Sequence, residues 1–193
     1  MKVIGLTVGI GCGKSTVAGM LREHRVATID ADDVARAIRD EDPEAGAAIE
    51  ARFGTRDAAP LASIVFQDAA ALADLEAIIH PRVRERVSRM LADLTAAGTQ
   101  VAAVEAIKLL DSALRADCDQ VWVVVCRPED ALGRLAERGL GTEDARARMA
   151  RQAAEDDFRA AADVVIDGSA RASETRRQVD RALDSLMILL GPG

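Results

Sequence analysis

Three groups of residues in this 193-residue chain have the types and spacing to do chemistry: a glycine-rich turn ending in Gly-Lys-Ser-Thr, a run of carboxylates from Asp30 to Asp33, and a set of arginines between Pro128 and Ala162. The turn, Gly9-Ile10-Gly11-Cys12-Gly13-Lys14-Ser15-Thr16, follows the apolar run Val3 to Val8 and leads into a helical pattern from Ser15 to Arg22. A glycine-rich turn between a strand and a helix lets successive backbone N–H groups converge on a polyphosphate at a helix N-terminus. In that frame Lys14 reaches the β- and γ-phosphates, the Ser15 hydroxyl ligates Mg²⁺, and Thr16 adds a donor at the α/β-phosphate end. The full pattern asks for a glycine where this chain has Val8. A β-branched residue there requires either a β-like backbone or a distorted loop, and most of the anion-binding amides come later, from Gly11 to Thr16.

The carboxylates Asp30, Asp32 and Asp33 come directly after a second strand-like run. In a parallel sheet the carboxyl ends of the strands share one edge, so these groups are expected beside the phosphate loop. If the chain stays extended, Asp30 and Asp32 point to one side. One then accepts the proton of an attacking hydroxyl while the other helps to hold hydrated Mg²⁺. The competing role is capping of the next helix, assigned to Asp33 or Asp30. Glu105 ends the third strand on the same edge, where it suits an outer-shell Mg²⁺ partner or a merely solubilising strand end.

The elements that must position these groups alternate. Strands are expected at Val3 to Val8, Val26 to Ile29, Gln100 to Val104, Val121 to Val125 and Val164 to Ile166, with helical patterns between them, which implies an α/β fold: a five-stranded parallel sheet covered by helices on both faces. Pro81 is expected in the first turn of a helix whose apolar face is Val83, Val87, Met90, Leu91 and Leu94, with Gly98 just past its end. Ser173 is expected to cap the last helix, with Val179, Leu183, Leu186, Met187 and Leu190 as its apolar face and Gly191 beyond. Two segments break the alternation. Residues 34–98 read as a helical insert, and 128–162 as a second insert carrying Arg134, Arg138, Arg146, Arg148, Arg151 and Arg159, with helices from Pro128 to Arg138 and from Thr142 to about Ala154. A phosphate-loop core with a helical acceptor region and an arginine-bearing lid is the layout of a small-molecule kinase, all within one domain over 1–193. For any single arginine, a solvated salt-bridged helix face is the simpler reading.

Bulk properties narrow the classes. The net charge is −7 and the pI about 4.9, which argues against nucleic acid as a partner and requires any anion site to be locally basic. No run approaches the roughly 20 apolar residues of a membrane span, and the first residues enter a strand at once, so a cytoplasmic protein with no membrane partner is expected. Cys12, Cys118 and Cys126 have neither metal nor redox spacing; scattered thiols in odd number fit a reducing compartment, with Cys126 as a small buried hydrophobe. The chain contains no asparagine, so the Asn-Lys-x-Asp motif that reads guanine is absent.

The order Ile4-Gly5-Leu6-Thr7, Gly9-Ile10-Gly11-x-Gly13-Lys14-Ser15-Thr16-Val17, Ile29-Asp30-Ala31-Asp32, Ile79-His80-Pro81 and Ala162-Asp163-Val164-Val165-Ile166-Asp167 resembles the dephospho-CoA kinase family, over essentially the whole chain. The resemblance implies a three-layer P-loop kinase fold and transfer of the γ-phosphate of ATP, with Mg²⁺, to the 3′-hydroxyl of dephospho-CoA. It implies Asp32 as catalytic base, Gly11, Cys12, Gly13, Lys14, Ser15 and Thr16 as the ATP cradle, Arg138 as the lid arginine, and the region from Asp30 to Pro81 as the acceptor grip. A monomer or weak homo-oligomer is expected. Four departures from the family pattern stand out: Val8 for a glycine, Cys12 for a serine, a short Thr55-Arg56-Asp57-Ala58-Ala59-Pro60 segment, and Glu105-Ala106-Ile107-Lys108-Leu109 in place of Asp-x-Pro-Leu-Leu. Lys108 then either contacts an acceptor phosphate or lies on the surface. The alternatives are a P-loop kinase for another small hydroxyl acceptor and a nucleotide-binding paralogue with impaired catalysis.

Overall fold

The computed structural model describes residues 1–150 and 155–190. Strand β1 (Lys2–Val8) leads through the glycine-rich turn into α1 (Lys14–Glu23) and β2 (Ala27–Asp30). Helices α2 (Ala31–Glu41), α3 (Pro43–Phe53), α4 (Ala58–Gln67) and α5 (Ala69–Ala96) follow, then β3 (Val101–Glu105), two short 3₁₀ turns and β4 (Gln120–Val125). Helices α6 (Pro128–Glu137), α7 (Thr142–Met149) and α8 (Glu155–Ala160), strand β5 (Val164–Asp167) and helix α9 (Ala172–Leu190) complete the described chain. Two compact units result, Asp30–Ala97 and the remainder.

In the larger unit the five strands lie in the order β2-β3-β1-β4-β5, and β1 pairs in parallel with both β3 and β4. Alternate residues of β1, Ile4, Leu6 and Val8, are buried against Val17, Ala18 and Leu21 of α1 and against Val179, Leu183 and Leu186 of α9. Each such fully buried aliphatic side chain contributes about 1.5–3 kcal/mol from water exclusion. The intervening Thr7 is wholly buried as well, and its hydroxyl donates to the Ile107 carbonyl at 3.1 Å, tying the end of β1 to the loop after β3. Both faces of the strands are therefore covered, as the near-continuous apolar runs require.

The smaller unit is four helices whose starts are written in aspartates. Asp30 accepts from the Asp32 and Asp33 amides at 2.9 and 3.2 Å, Asp42 from Ala45 at 2.8 Å, and Asp68 from Ala70 at 2.8 Å, giving α2, α3 and α5 their N-caps. Val34, Ile38, Ile49, Leu61, Val83, Val87 and Leu91 form the unit's interior. Pro81 sits inside α5, not in its first turn. The helix begins twelve residues earlier, at Ala69, because the capping Asp68 outcompetes proline as a start signal, and the Arg82 guanidinium donates to the Ile78 carbonyl at 3.0 Å in the turn that proline disturbs. Gly98 has φ +79° just past the end of α5, as expected.

At the other end of the chain Ser173 lies within the first turn of α9 and is not its cap. Val179, Leu183 and Leu186 are buried, whereas Met187 is exposed. The Leu190 side chain and Gly191 lie outside the described residues, as do Arg151 and Ala154.

Candidate active site

The turn from Gly9 to Gly13 is built by backbone geometry that its glycines permit. Gly11 and Gly13 adopt φ +76° and +102°, a left-handed conformation that side chains resist. The Gly9 amide donates to the Val124 carbonyl at 3.1 Å and the Cys12 amide to the Gly9 carbonyl at 3.0 Å, which sets the turn on the carboxyl ends of β1 and β4. Gly13 then starts α1 with no side-chain cap and no acidic residue in the first turn. Where α2, α3 and α5 spend an aspartate on their free amides, α1 leaves its positive end to an incoming anion. Ser15 and Thr16 are exposed there, with Lys14 half-buried beside them.

Val8 is a β1 residue, 5% exposed and in register with Val124, and the one non-glycine residue with positive φ among those described is Arg25. The absent glycine thus falls where the backbone is extended, and valine fills core space. Val8→Gly is expected to leave Mg·ATP affinity within about threefold of the natural protein. It should lower stability by about 2–4 kcal/mol, through the lost side chain and glycine's unfolded-state freedom. Titration calorimetry and urea unfolding measure the two effects separately; a tenfold gain in affinity would mean that valine distorts the cradle.

Helix α6 is laid against the turn. Ala131 is buried over Gly11, where a Cβ would stand 2.8 Å from the Ala131 carbonyl oxygen. The Arg127 amide donates to the Ser169 hydroxyl oxygen at 2.7 Å. The Asp130 carboxyl is held below its usual range by a hydrogen bond from Ser169 and then by the Arg127 guanidinium at 2.8 Å. One helical turn on, Arg134 donates from Nη1 to the Gly11 carbonyl at 3.3 Å and from Nη2 to the Gly168 carbonyl at 2.6 Å. Gly168 must be glycine, since a Cβ would collide with the Cys12 carbonyl oxygen. Arg138, four residues after Arg134 and so on the same face, lines a cavity of about 220 Å³ with Arg134, Gly13, Thr16 and Gly168.

Arg134 is thus no bland surface arginine, as the charge-patterned reading of this segment would have it, but the brace of the phosphate turn. Its spacing from Arg138 was the available signal. Its partners lie 123 and 34 residues away, which no local pattern encodes.

The carboxylates separate by role. Asp30 caps α2, so the chain turns helical at Ala31 instead of remaining extended, and the expectation that Asp30 and Asp32 project together along a strand is not met. Asp32 occupies the first turn of α2, half-buried, while the exposed Asp33 pairs with Arg36. Glu105, 3% exposed at the end of β3, has Arg22 Nη1 at 3.5 Å from Oε1, and the same nitrogen donates to the Thr28 hydroxyl at 3.0 Å. Lys108 is exposed.

Among the described residues no group of three or more His, Cys, Asp or Glu is placed to hold a metal. A hydroxyl such as that of Ser15 and a carboxylate such as that of Glu105 are hard oxygen donors of the kind Mg²⁺ takes, beside waters and phosphate oxygens.

The cysteines overturn the expectation of scattered thiols. Cys12 and Cys126 form a disulfide, with Cα atoms 5.2 Å apart, and Cys118 alone is free. The reason is topological: β1 and β4 are neighbours, so the turn after one and the end of the other meet across 114 residues of sequence.

A parallel sheet in this order, an uncapped helix start behind a Gly-Lys-Ser-Thr turn, and an arginine of α6 bonded to that turn define a P-loop kinase. The family model of dephospho-CoA kinase matches residues 2–174, and the chain belongs to that family. A dephospho-CoA kinase of Deinococcus radiodurans is 41% identical over 96% of this chain and 92% of its own length, and one of Streptomyces avermitilis 42% identical over 93% and 91%. The crystal structure of TT1252 from Thermus thermophilus is similar at a TM-score of 0.82 and 30% identity, covering 99% of this chain and 98% of that one. The dephospho-CoA kinase from Campylobacter jejuni follows at 0.72 and 25%, covering 96% and 98%. A shikimate kinase from Bacteroides thetaiotaomicron shares the fold, with a TM-score of 0.54 at 15% identity. The chain is an ATP-dependent kinase acting on a hydroxyl group.

Proposed function

We propose that this enzyme transfers the γ-phosphate of ATP to the 3′-hydroxyl of dephospho-CoA, giving coenzyme A and ADP. The observation that carries the chemistry is the uncapped N-terminus of α1 behind Gly11 to Thr16, with Lys14 beside it and Arg138 in the adjoining cavity; the observation that favours this acceptor is the match to the family over nearly the whole chain. The amides from Gly11 to Thr16 cradle the phosphates, and Lys14 contributes its charge at the β- and γ-positions. Ser15, and through water Glu105, would hold the Mg²⁺ that accompanies ATP, and that ion would offset phosphate charge. Asp32 takes the proton of the attacking 3′-hydroxyl as the oxygen–phosphorus bond forms and the bond to ADP breaks. Arg138 donates to the charge that spreads over the transferring group. The helical unit from Asp30 to Ala97 holds the acceptor and α6 to α8 act as the lid.

A coupled ADP-release assay with dephospho-CoA beside adenosine, AMP and shikimate tests the reading. Fast, saturable turnover with dephospho-CoA alone is expected. Faster turnover of another hydroxyl compound would transfer the assignment to that acceptor.

The lid assignment has its own test. Arg138→Ala is expected to lower kcat by about 10²–10³-fold with little change in ATP affinity, because a donor to developing charge need not hold the ground state. Arg148→Ala, on the exposed side of α7, serves as the control, with activity within about twofold of the natural protein. Arg134→Ala should differ from both by weakening ATP binding, since it releases the Gly11 carbonyl. Equal modest losses at Arg138 and Arg148 would reduce the arginines to a solvated helix face.

A further inference from the structure

We infer that the Cys12–Cys126 pair is a reversible thiol–disulfide site through which a small thiol and its disulfide turn the phosphate loop on and off. Cys12 sits at the centre of the proposed phosphate turn, and Cys126 lies two residues before α6, the helix that carries Arg134 and ends just before Arg138. The bond therefore ties the cradle to the root of the segment that brings arginines to it. Nucleotide entry and release require those two parts to shift against each other, and the cross-link removes that freedom. In the bonded loop the Cys12 amide also donates to the Gly9 carbonyl. The oxidised enzyme is the impaired one. This inference rests on the reading of Gly11 to Thr16 as the ATP cradle.

The surroundings suit exchange. Both sulfur-bearing residues line a cavity of about 360 Å³ that, among the described residues, is walled by Gly9, Ile10, Pro128 and Phe158 and has room for a small reagent. Reduction begins when an external thiolate attacks Cys126 Sγ, which is less buried than Cys12. The S–S bond breaks and Cys12 leaves as a thiolate beside the positive end of α1, which favours an anion. A second external thiolate attacks the small molecule's sulfur in the mixed disulfide, releasing the small molecule as its disulfide and Cys126 as a thiolate that takes a proton from water. Oxidation is the reverse: two protein thiols and one low-molecular-weight disulfide give the protein disulfide and two small thiols. Cys118 takes no part. Burial, then the Asp117 carboxylate, push its thiol up to about 11, and its Sγ is 3.3 Å from the Leu114 carbonyl.

The test uses the full-length protein poised with oxidised glutathione or with dithiothreitol. Alkylation under denaturing conditions followed by intact mass should add one label to the oxidised protein and three to the reduced, matching one free cysteine and three in all. The oxidised form should show about tenfold or greater loss of kcat/KM for Mg·ATP and a weaker ATP affinity by calorimetry, both restored by dithiothreitol. By reciprocity, Mg·ATP should slow formation of the disulfide. Cys126→Ser should keep the reduced enzyme's activity in both buffers, and Cys118→Ser should still switch; if Cys126→Ser fails to fold, Cys126→Ala replaces it and the natural protein in two redox states carries the comparison. Three labels under both conditions, equal activity and ATP affinity in the two states, or an oxidative loss that persists in Cys126→Ser would overturn the inference. Absence of turnover in both states alongside a redox-dependent ATP affinity would instead count against the proposed reaction and leave the switch standing.

Discussion

Lys14→Ala is expected to reduce kcat/KM by about 10³-fold or more, to the background of an ADP-release assay, in a protein that still folds. The size follows from position. Lys14 opens α1 at a helix start with no capping side chain, so on the proposed reading its charge acts with the backbone amides on the β- and γ-phosphates. The fold is expected to survive because the buried face of α1 is Val17, Ala18, Met20 and Leu21, and alanine is the best helix former. Circular dichroism and a melting curve must therefore match the natural protein while turnover disappears. Near-natural activity in a folded Lys14→Ala protein would remove the phosphate-loop assignment altogether.

The second large effect belongs to Asp32. Asp32→Asn keeps the shape and loses the base, and should lower kcat by about 10²–10⁴-fold with ATP affinity little changed. Asp30→Asn is the informative partner, because Asp30 accepts from two amides at the start of α2. Asparagine caps a helix nearly as well as aspartate, so this change should cost well under about 1 kcal/mol and leave most of the activity. The pair thus separates catalysis from capping. A mild Asp32→Asn beside a crippled Asp30→Asn would exchange the roles, and small equal losses would mean that neither carboxylate takes the proton.

Much of this molecule is legible along the chain because its signals are local. The strands fall within a residue or two of where apolar runs place them, since a run of β-branched residues between turns has few other ways to be buried. The helix from Thr142 ends at Met149, short of the Ala154 expected from its pattern. The phosphate turn is equally local. Gly11 and Gly13 supply the positive φ, Lys14 to Thr16 the charge and hydroxyls, and the strand and helix on either side fix their order. Aspartates at 42 and 68 mark helix starts by the same short-range chemistry.

What sequence alone left open or got wrong depends on which distant segments meet. Whether Val8 suits its place was decided by its register with Val124 in β4. Which of Asp30, Asp32 and Asp33 caps α2 turned on where β2 ends, at Asp30. Pro81 passed into the interior of α5 because the capping at Asp68 and the burial of Ala71, Ile79 and Val83 along one helix outweigh a single missing amide hydrogen bond. Arg134 became a brace, and Cys12 a partner of Cys126, through one topological fact, that β4 lies beside β1. Spacing along the sequence determines turns, caps and periodic faces, because these are settled within a few residues. Pairings more than 100 residues apart are settled by strand order, which only the assembled sheet supplies.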